Sequence, residues 1–92
     1  MWLLCHFYFV TEKQFNAELK RIGKRIKNIR NARCLKQLDV EMKTGIDRAD
    51  ISKIENGKKS LEYLTMLRIA EALDVHIAEL IILESKYDTR DK

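Results

Sequence analysis

Apolar residues recur along most of this chain with the spacing of helices. Phe15, Leu19, Ile22, Ile26 and Ile29 are separated by alternating steps of four and three, which draws one apolar stripe along a helix. Thr11 and Gln14 stand just before it at capping-box spacing, so a first helix is predicted from residue 12 to about Ala32. Two short helical patterns follow, from about Leu35 to Gly45 and from Asp47 to Gly57. Tyr63, Met66, Ile69, Ala70 and Leu73 mark a fourth apolar face. Asp74 and Val75 bridge to a fifth helix, expected from Ile77 to roughly Lys86, with Ile77, Leu80 and Ile81 facing inward. Ile82, Leu83 and Tyr87 fall outside that inward stripe. A small monomer seldom exposes such a surplus, so these three are expected at an interface with a second copy of the chain.

Met1 to Val10 break the pattern: almost every residue is apolar, three of them Phe or Tyr beyond Trp2. The segment is about half the roughly 20 residues of a membrane span. A secretory signal would carry a basic leader and a small-residue cleavage site, whereas Thr11-Glu12-Lys13 follows directly. Neither a membrane anchor nor an export signal is read from it. Its residue types favour an extended strand, and a lone strand needs a partner for its edges. Three readings stay open: a strand pairing with its copy in a dimer, a flap over the domain's own core, or upstream residues taken into the reading frame. The expected organisation is an apolar extension at 1–11, one helical domain at 12–86 and a polar tail at 87–92.

The joint between the second and third patterns is the most informative. At Gly45 the chain must stop one helix and turn sharply into the next, a position that calls for a left-handed backbone. Asp47 then stands where its carboxylate would cap the next helix, and Asp50 adds negative charge at the positive end of the helix dipole. Ile51 and Ile54 face inward, which turns Ala49, Ser52, Lys53 and Asn56 outward, with Arg48 long enough to join them. Small, polar and basic side chains on one exposed face suit the major groove of duplex DNA.

Charge supports that reading through its distribution. The net charge is +4, yet from Lys20 to Lys36 there are eight basic residues and no acid, while from Leu61 onward acids outnumber bases seven to four. A basic run alone is commonly a solvated helix face; beside a helix-turn-helix it implies an oriented encounter with a polyanion. Cys5 and Cys34 are isolated, and Cys5-His6 has no second ligand pair, so neither a disulfide scaffold nor a metal site is supported. No nucleophile has a paired base and no phosphate-cradling glycine loop follows a strand, which argues against an enzyme. No cofactor and no small-molecule ligand are implied, and a cytoplasmic location is expected.

With these residues in place, the span from Ile22 to about Leu80 resembles the Cro and phage-repressor (Xre) family of helix-turn-helix domains. The matching signals are Ile22-Gly23-Lys24-Arg25-Ile26 with Ile29-Arg30, then Leu35 and Gln37, then Lys43-Thr44-Gly45-Ile46. Ile51 through Lys59 and Ile69 through Val75 complete them. The resemblance implies an all-α, five-helix phage-repressor-like fold, with the turn motif at the second and third helices and a recognition helix at about 47–56. It implies base-reading positions at Asp47, Arg48, Ala49, Ser52 and Lys53. Phosphate contacts are expected from Gln37 and Asn56, with Lys36, Lys58 and Lys59 beside them. Arg30 and Glu55 match a structural ion pair between the first and third helices.

Two departures stand out. Glu41 occupies a position where the family usually places alanine, so its carboxylate must reach solvent or pair with a base such as Arg48. Asp47 and Asp50 put negative charge close to the expected phosphates; capping explains both without function, whereas Asp47 accepting from a cytosine amino group would add specificity and reduce indiscriminate affinity. The expected activity is sequence-specific binding of double-stranded DNA by a homodimeric transcriptional regulator; the alternative is a protein-binding helical module of antitoxin-like or coactivator-like type.

Overall fold

The computed structural model describes residues 11–87. Expectations for residues 1–10 and 88–92 lie outside the described residues. Five helices are present: α1 (Glu12–Ala32), α2 (Gln37–Thr44), α3 (Arg48–Glu55), α4 (Tyr63–Ala72) and α5 (Ala78–Ile81). No strand occurs among the described residues. The fold is the all-α, five-helix arrangement with the tight turn between α2 and α3.

At the start of α1, the Gln14 amide donates to Thr11 Oγ1 (3.1 Å) and the Thr11 amide donates to Gln14 Oε1 (3.0 Å). The stripe that follows is buried from Leu19 through Ile29, but Phe15 lies beyond the packed elements and is 45% exposed. α1 ends with Cys34 in the left-handed region and the Leu35 amide donating back to the Arg30 carbonyl at 3.0 Å, a Schellman closure. α3 ends the same way at Gly57, and α4 at Asp74.

The core joins Ile22, Ile26 and Ile29 of α1 to Val40 of α2, Ile51 and Ile54 of α3, Ile69 and Leu73 of α4 and its cap, and Leu80 of α5. Tyr63, expected on the inward face of α4, is exposed, as are Leu64 and Leu67. Ile69, Ala70 and Leu73, expected on the same face, are buried, so the packed part of that face begins after the first turn of the helix.

Gly23, for which the sequence offers no reason, is explained by a close crossing. A Cβ there would collide with the Ile54 carbonyl oxygen and stand 2.9 Å from the Glu55 carbonyl oxygen. The obstacle is backbone on both counts, so α1 and the last turn of α3 approach each other only because position 23 has no side chain.

The C-terminal segment departs from expectation. The fifth helix is one turn, Ala78–Ile81, and Ile82 is already extended. Two arginines of α1 account for the early end. Arg25 donates to the carbonyls of Glu79 (2.9 Å) and Leu83 (3.1 Å), and Arg21 to those of Ile82 (2.8 Å) and Ile81 (2.9 Å). Guanidinium donors thus satisfy carbonyls that a longer helix would pair with its own amides. Arg21 also holds Glu18, whose carboxyl is kept below its ordinary pKa by that hydrogen bond. The chain beyond Leu83 follows α1 and returns Tyr87 to the core, only 8% exposed. Tyr87 is therefore neither part of a polar tail nor free to face a partner; Ile81, expected to face inward, is exposed beside Ile82 and Leu83, because α5 ends there and only Leu80 of its last two residues meets the core.

The crossing at Gly23 yields a prediction. Gly23→Ala would favour an isolated helix by up to about 1 kcal/mol, yet in this fold it is expected to destabilise by about 1–3 kcal/mol through overpacking. Urea denaturation followed by circular dichroism decides: a midpoint equal to or above wild type would contradict the close approach of α1 and α3.

Candidate nucleic-acid interface

Three residues shape the turn between α2 and α3. The Thr44 hydroxyl donates to the Val40 carbonyl (2.7 Å) and accepts from the Ile46 amide (3.0 Å). Gly45 has φ of +79° and its amide donates to the Glu41 carbonyl at 2.8 Å. Ile46 can then pack against the core, and the chain enters α3 immediately. Asp47 occupies the N-cap position, but its side chain makes no capping hydrogen bond. The expected carboxylate cap is absent; Asp47 is exposed, and only its carbonyl engages the first turn, accepting from the amides of Asp50 (2.9 Å) and Ile51 (3.0 Å). Asp50 pairs with Lys59 at 3.4 Å, so one acid near the expected phosphates is partly neutralised.

The orientation of α3 is set beneath the surface. Arg30 Nε donates to Glu55 Oε2 at 2.7 Å, and a second guanidinium nitrogen donates to Glu55 Oε1 at 3.1 Å. The third nitrogen donates to the Leu35 carbonyl at 2.9 Å, and Gln37 Nε2 donates to Glu55 Oε1 at 3.1 Å. This two-pronged pair is buried, with Glu55 5% and Arg30 9% exposed. Paired charges with every polar atom occupied are what low-dielectric burial requires; among the described residues no buried side-chain polar atom lacks a partner. One network thereby ties α1, the α1–α2 connection, the first residue of α2 and the last residue of α3.

Above that network, Arg48, Ala49 and Lys53 are exposed and Ser52 is half-buried. Gln37, Glu41, Asp47, Arg48, Ala49 and Ser52 line one cleft at the N-terminal end of α3. The five residues expected to read bases therefore lie on or beside one face, with Lys53 one turn beyond Ala49. Glu41 is half-buried beside Arg48, but the two form no ion pair among the described residues.

The expected phosphate contacts divide into two groups. Lys36 and Gln37 stand at the start of α2, where the Lys36 amide donates to the Asp39 carboxylate at 2.7 Å. Asn56, Lys58 and Lys59 are exposed past the end of α3. Gln37 and Asn56 have structural duties as well: Gln37 holds Glu55, and the Asn56 side-chain Nδ2 donates to the Ser52 carbonyl at 2.9 Å.

A second cleft, at the C-terminal end of α3, is lined by Lys20, Lys24, Lys27, Asn28 and Asn31 of α1 together with Glu55 and Asn56. In the sequence Lys20, Lys24 and Lys27 figured only within the basic run from Lys20 to Lys36, not as one helix face. Their spacing could have revealed them, since residues 20, 24, 27 and 31 share one helix face. Among the described residues no group of His, Cys, Asp or Glu could hold a metal ion, and no helix is long and apolar enough to cross a membrane.

Comparison with known proteins matches residues 23–86 to the family described as a helix-turn-helix domain. No curated protein matches the chain. Among solved structures, the restriction-modification controller protein C.AhdI from Aeromonas hydrophila is similar at a TM-score of 0.68 and 31% identity. The alignment covers 70% of this chain and 97% of that one.

Breaking the buried pair on one side leaves an uncompensated charge. Arg30→Met or Glu55→Leu alone is expected to cost about 3–5 kcal/mol, and the double variant to recover much of it. Chemical denaturation of the three variants checks this; additive losses in the double variant would show that the two side chains are not coupled.

Proposed function

Because the chain belongs to the helix-turn-helix domain family, of the Cro and phage-repressor type, we propose that it is a DNA-binding transcriptional regulator that lays α3 in the major groove. One observation carries the reading: α3 presents Arg48, Ala49, Ser52 and Lys53 outward on a backbone fixed from behind by the buried Arg30–Glu55 pair. Small and basic side chains on a rigidly held helix can approach base edges closely, and that rigidity gives hydrogen bonds a defined register. The likeness to a restriction-modification controller supports a regulatory role for that binding.

Within this reading Arg48 and Lys53 donate to guanine N7 and O6, and Asp47 accepts from a cytosine amino group if one lies opposite. Ala49 and Ser52 allow close approach. Lys36, Gln37, Asn56, Lys58 and Lys59 engage phosphates and fix register without choosing sequence.

The protein acts as a homodimer. Ile81, Ile82 and Leu83 form a consecutive exposed apolar run at the C-terminal end, with Leu83 78% exposed. A two-fold pairing of that run would cover it and place operator half-sites about one helical turn, roughly 34 Å, apart. Sedimentation equilibrium is expected to show a dimer at micromolar concentration and a monomer for Leu83→Glu. A wild-type chain that stays monomeric with and without DNA would remove the dimer from the reading.

In vitro selection of bound duplexes tests the base-reading assignment. Arg48→Ala and Lys53→Ala are each expected to relax preference at one position of a half-site, a discrimination of about 1–3 kcal/mol. Gln37→Ala and Asn56→Ala should lower affinity and leave the selected sequence intact. An unchanged logo for Arg48→Ala takes Arg48 out of the reading set. Failure of the wild-type chain to retain any duplex at low salt would favour the protein-binding alternative.

A further inference from the structure

We propose that α1 carries a second, sequence-blind contact with the DNA sugar-phosphate backbone, formed by Lys20, Lys24, Lys27 and Asn31 at the C-terminal end of α3. The proposal rests on the duplex-binding reading of α3 and enlarges its footprint beyond the turn motif and the loop that follows it.

The stripe is a geometric unit. Residues 20, 24, 27 and 31 recur at steps of four, three and four, which keeps them on one face over about 16 Å of helix. All four are exposed. They are set against α3 by backbone contact rather than by the reach of flexible side chains. At Gly57 a Cβ would stand 2.8 Å from Lys20 Cα, and at Gly23 one would meet the carbonyls of Ile54 and Glu55. The basic face of α1 is therefore fixed in register with the end of the recognition helix.

Charge decides what such a cleft accepts. Glu55, the one acid lining it, already receives Arg30 and Gln37, so Lys20 and Lys27 at the two ends of the lysine row give the cleft a positive potential. The opposite cleft holds Glu41 and Asp47 against Arg48. A polyanion meeting both ends of α3 is thus drawn to the lysine end.

Duplex geometry fits this asymmetry. α3 has eight residues, about 12 Å of helix, and the major groove is about 12 Å wide. A helix of that length seated in the groove brings its ends towards the flanking phosphate strands. The strand at the C-terminal end would pass Asn56 and then the α1 stripe. The lining of that cleft contains no apolar residue, which suits repeated phosphates better than an amphipathic peptide.

Replacing Lys20, Lys24 and Lys27 together by Gln removes three cations while keeping helix-compatible side chains. In gel-shift titrations from 50 to 200 mM salt, the slope of log affinity against log salt should fall by about 0.9 for each phosphate no longer neutralised. Affinity for the selected duplex and for random duplex should drop by the same factor, roughly tenfold per lysine near 0.1 M salt, with the selected sequence unchanged. Arg68→Gln, an exposed charge lining a separate groove beside α4, controls for net charge and should leave the slope as in wild type. If circular dichroism shows the triple variant unfolded, Lys20→Gln and Lys27→Gln singly are each expected to lower the slope by about 0.9. A folded variant with wild-type slope and affinity overturns the proposal while leaving the groove reading intact. A triple variant that selects a different sequence overturns the claim that the contact is sequence-blind. Absence of wild-type binding to any duplex at low salt would sink the groove reading and this proposal with it.

Discussion

The buried Arg30–Glu55 pair is the constraint on which the rest of the structure depends. A carboxylate at the last residue of α3 and a guanidinium near the end of α1 are both costly to bury, and each makes the other's burial tolerable. Because the guanidinium also reaches the Leu35 carbonyl and Gln37 reaches the carboxylate, a shift of any one element would strand a polar group. Gly23 supplies the matching steric condition, since only a residue without a side chain lets α1 come this close to the Ile54 and Glu55 carbonyls. Charge pairing and close backbone approach act at the same crossing and hold the outward face of α3 in one orientation.

α1 emerges as the common support of two surfaces. Through Arg30 and Gly23 it holds α3; through Arg21 and Arg25 it collects the carbonyls of Glu79, Ile81, Ile82 and Leu83. The second set ends α5 after one turn and sends Tyr87 into the core, which leaves Ile81, Ile82 and Leu83 as the exposed apolar run. The surface proposed for pairing two copies and the surface proposed for DNA are thus hung on one 21-residue helix. A disturbance at either end of α1 would be felt by both.

The two ends of α3 differ chemically in a way that assigns them different work. At its N-terminal end Arg48 stands among Gln37, Glu41 and Asp47, a mixed environment in which the proximity of acids reduces indiscriminate attraction to phosphate. At its C-terminal end the α1 lysines supply attraction without pattern. In the proposed binding mode, separating discrimination from attraction on one short helix lets salt-dependent affinity and base preference be altered independently.

Much of this was legible in the residues themselves. Helical periodicity located α1 to α4, the Thr11–Gln14 spacing marked where α1 begins, and Gly45 between two apolar patterns marked the turn, because each depends on neighbours within a few positions. Tertiary structure decided what depends on distant partners. Gly23 looked like a helix defect until α3 was seen pressed against it, and the apolar pattern beyond Ile77 promised a longer helix than α5 because nothing local announces that Arg21 and Arg25 take its carbonyls. Tyr87 looked available to a partner for the same reason. Asp47 occupies the cap position that its sequence context indicated, yet its side chain turns to solvent and leaves the carbonyl to engage the first turn. The lysine stripe of α1 was present in the spacing, but only the packing of α1 against the end of α3 turns a charged helix face into one wall of a cleft. Periodicity and turn chemistry are local properties of a chain; the burial of a charge, the room for a Cβ and the destination of a carbonyl are set by what the fold brings alongside.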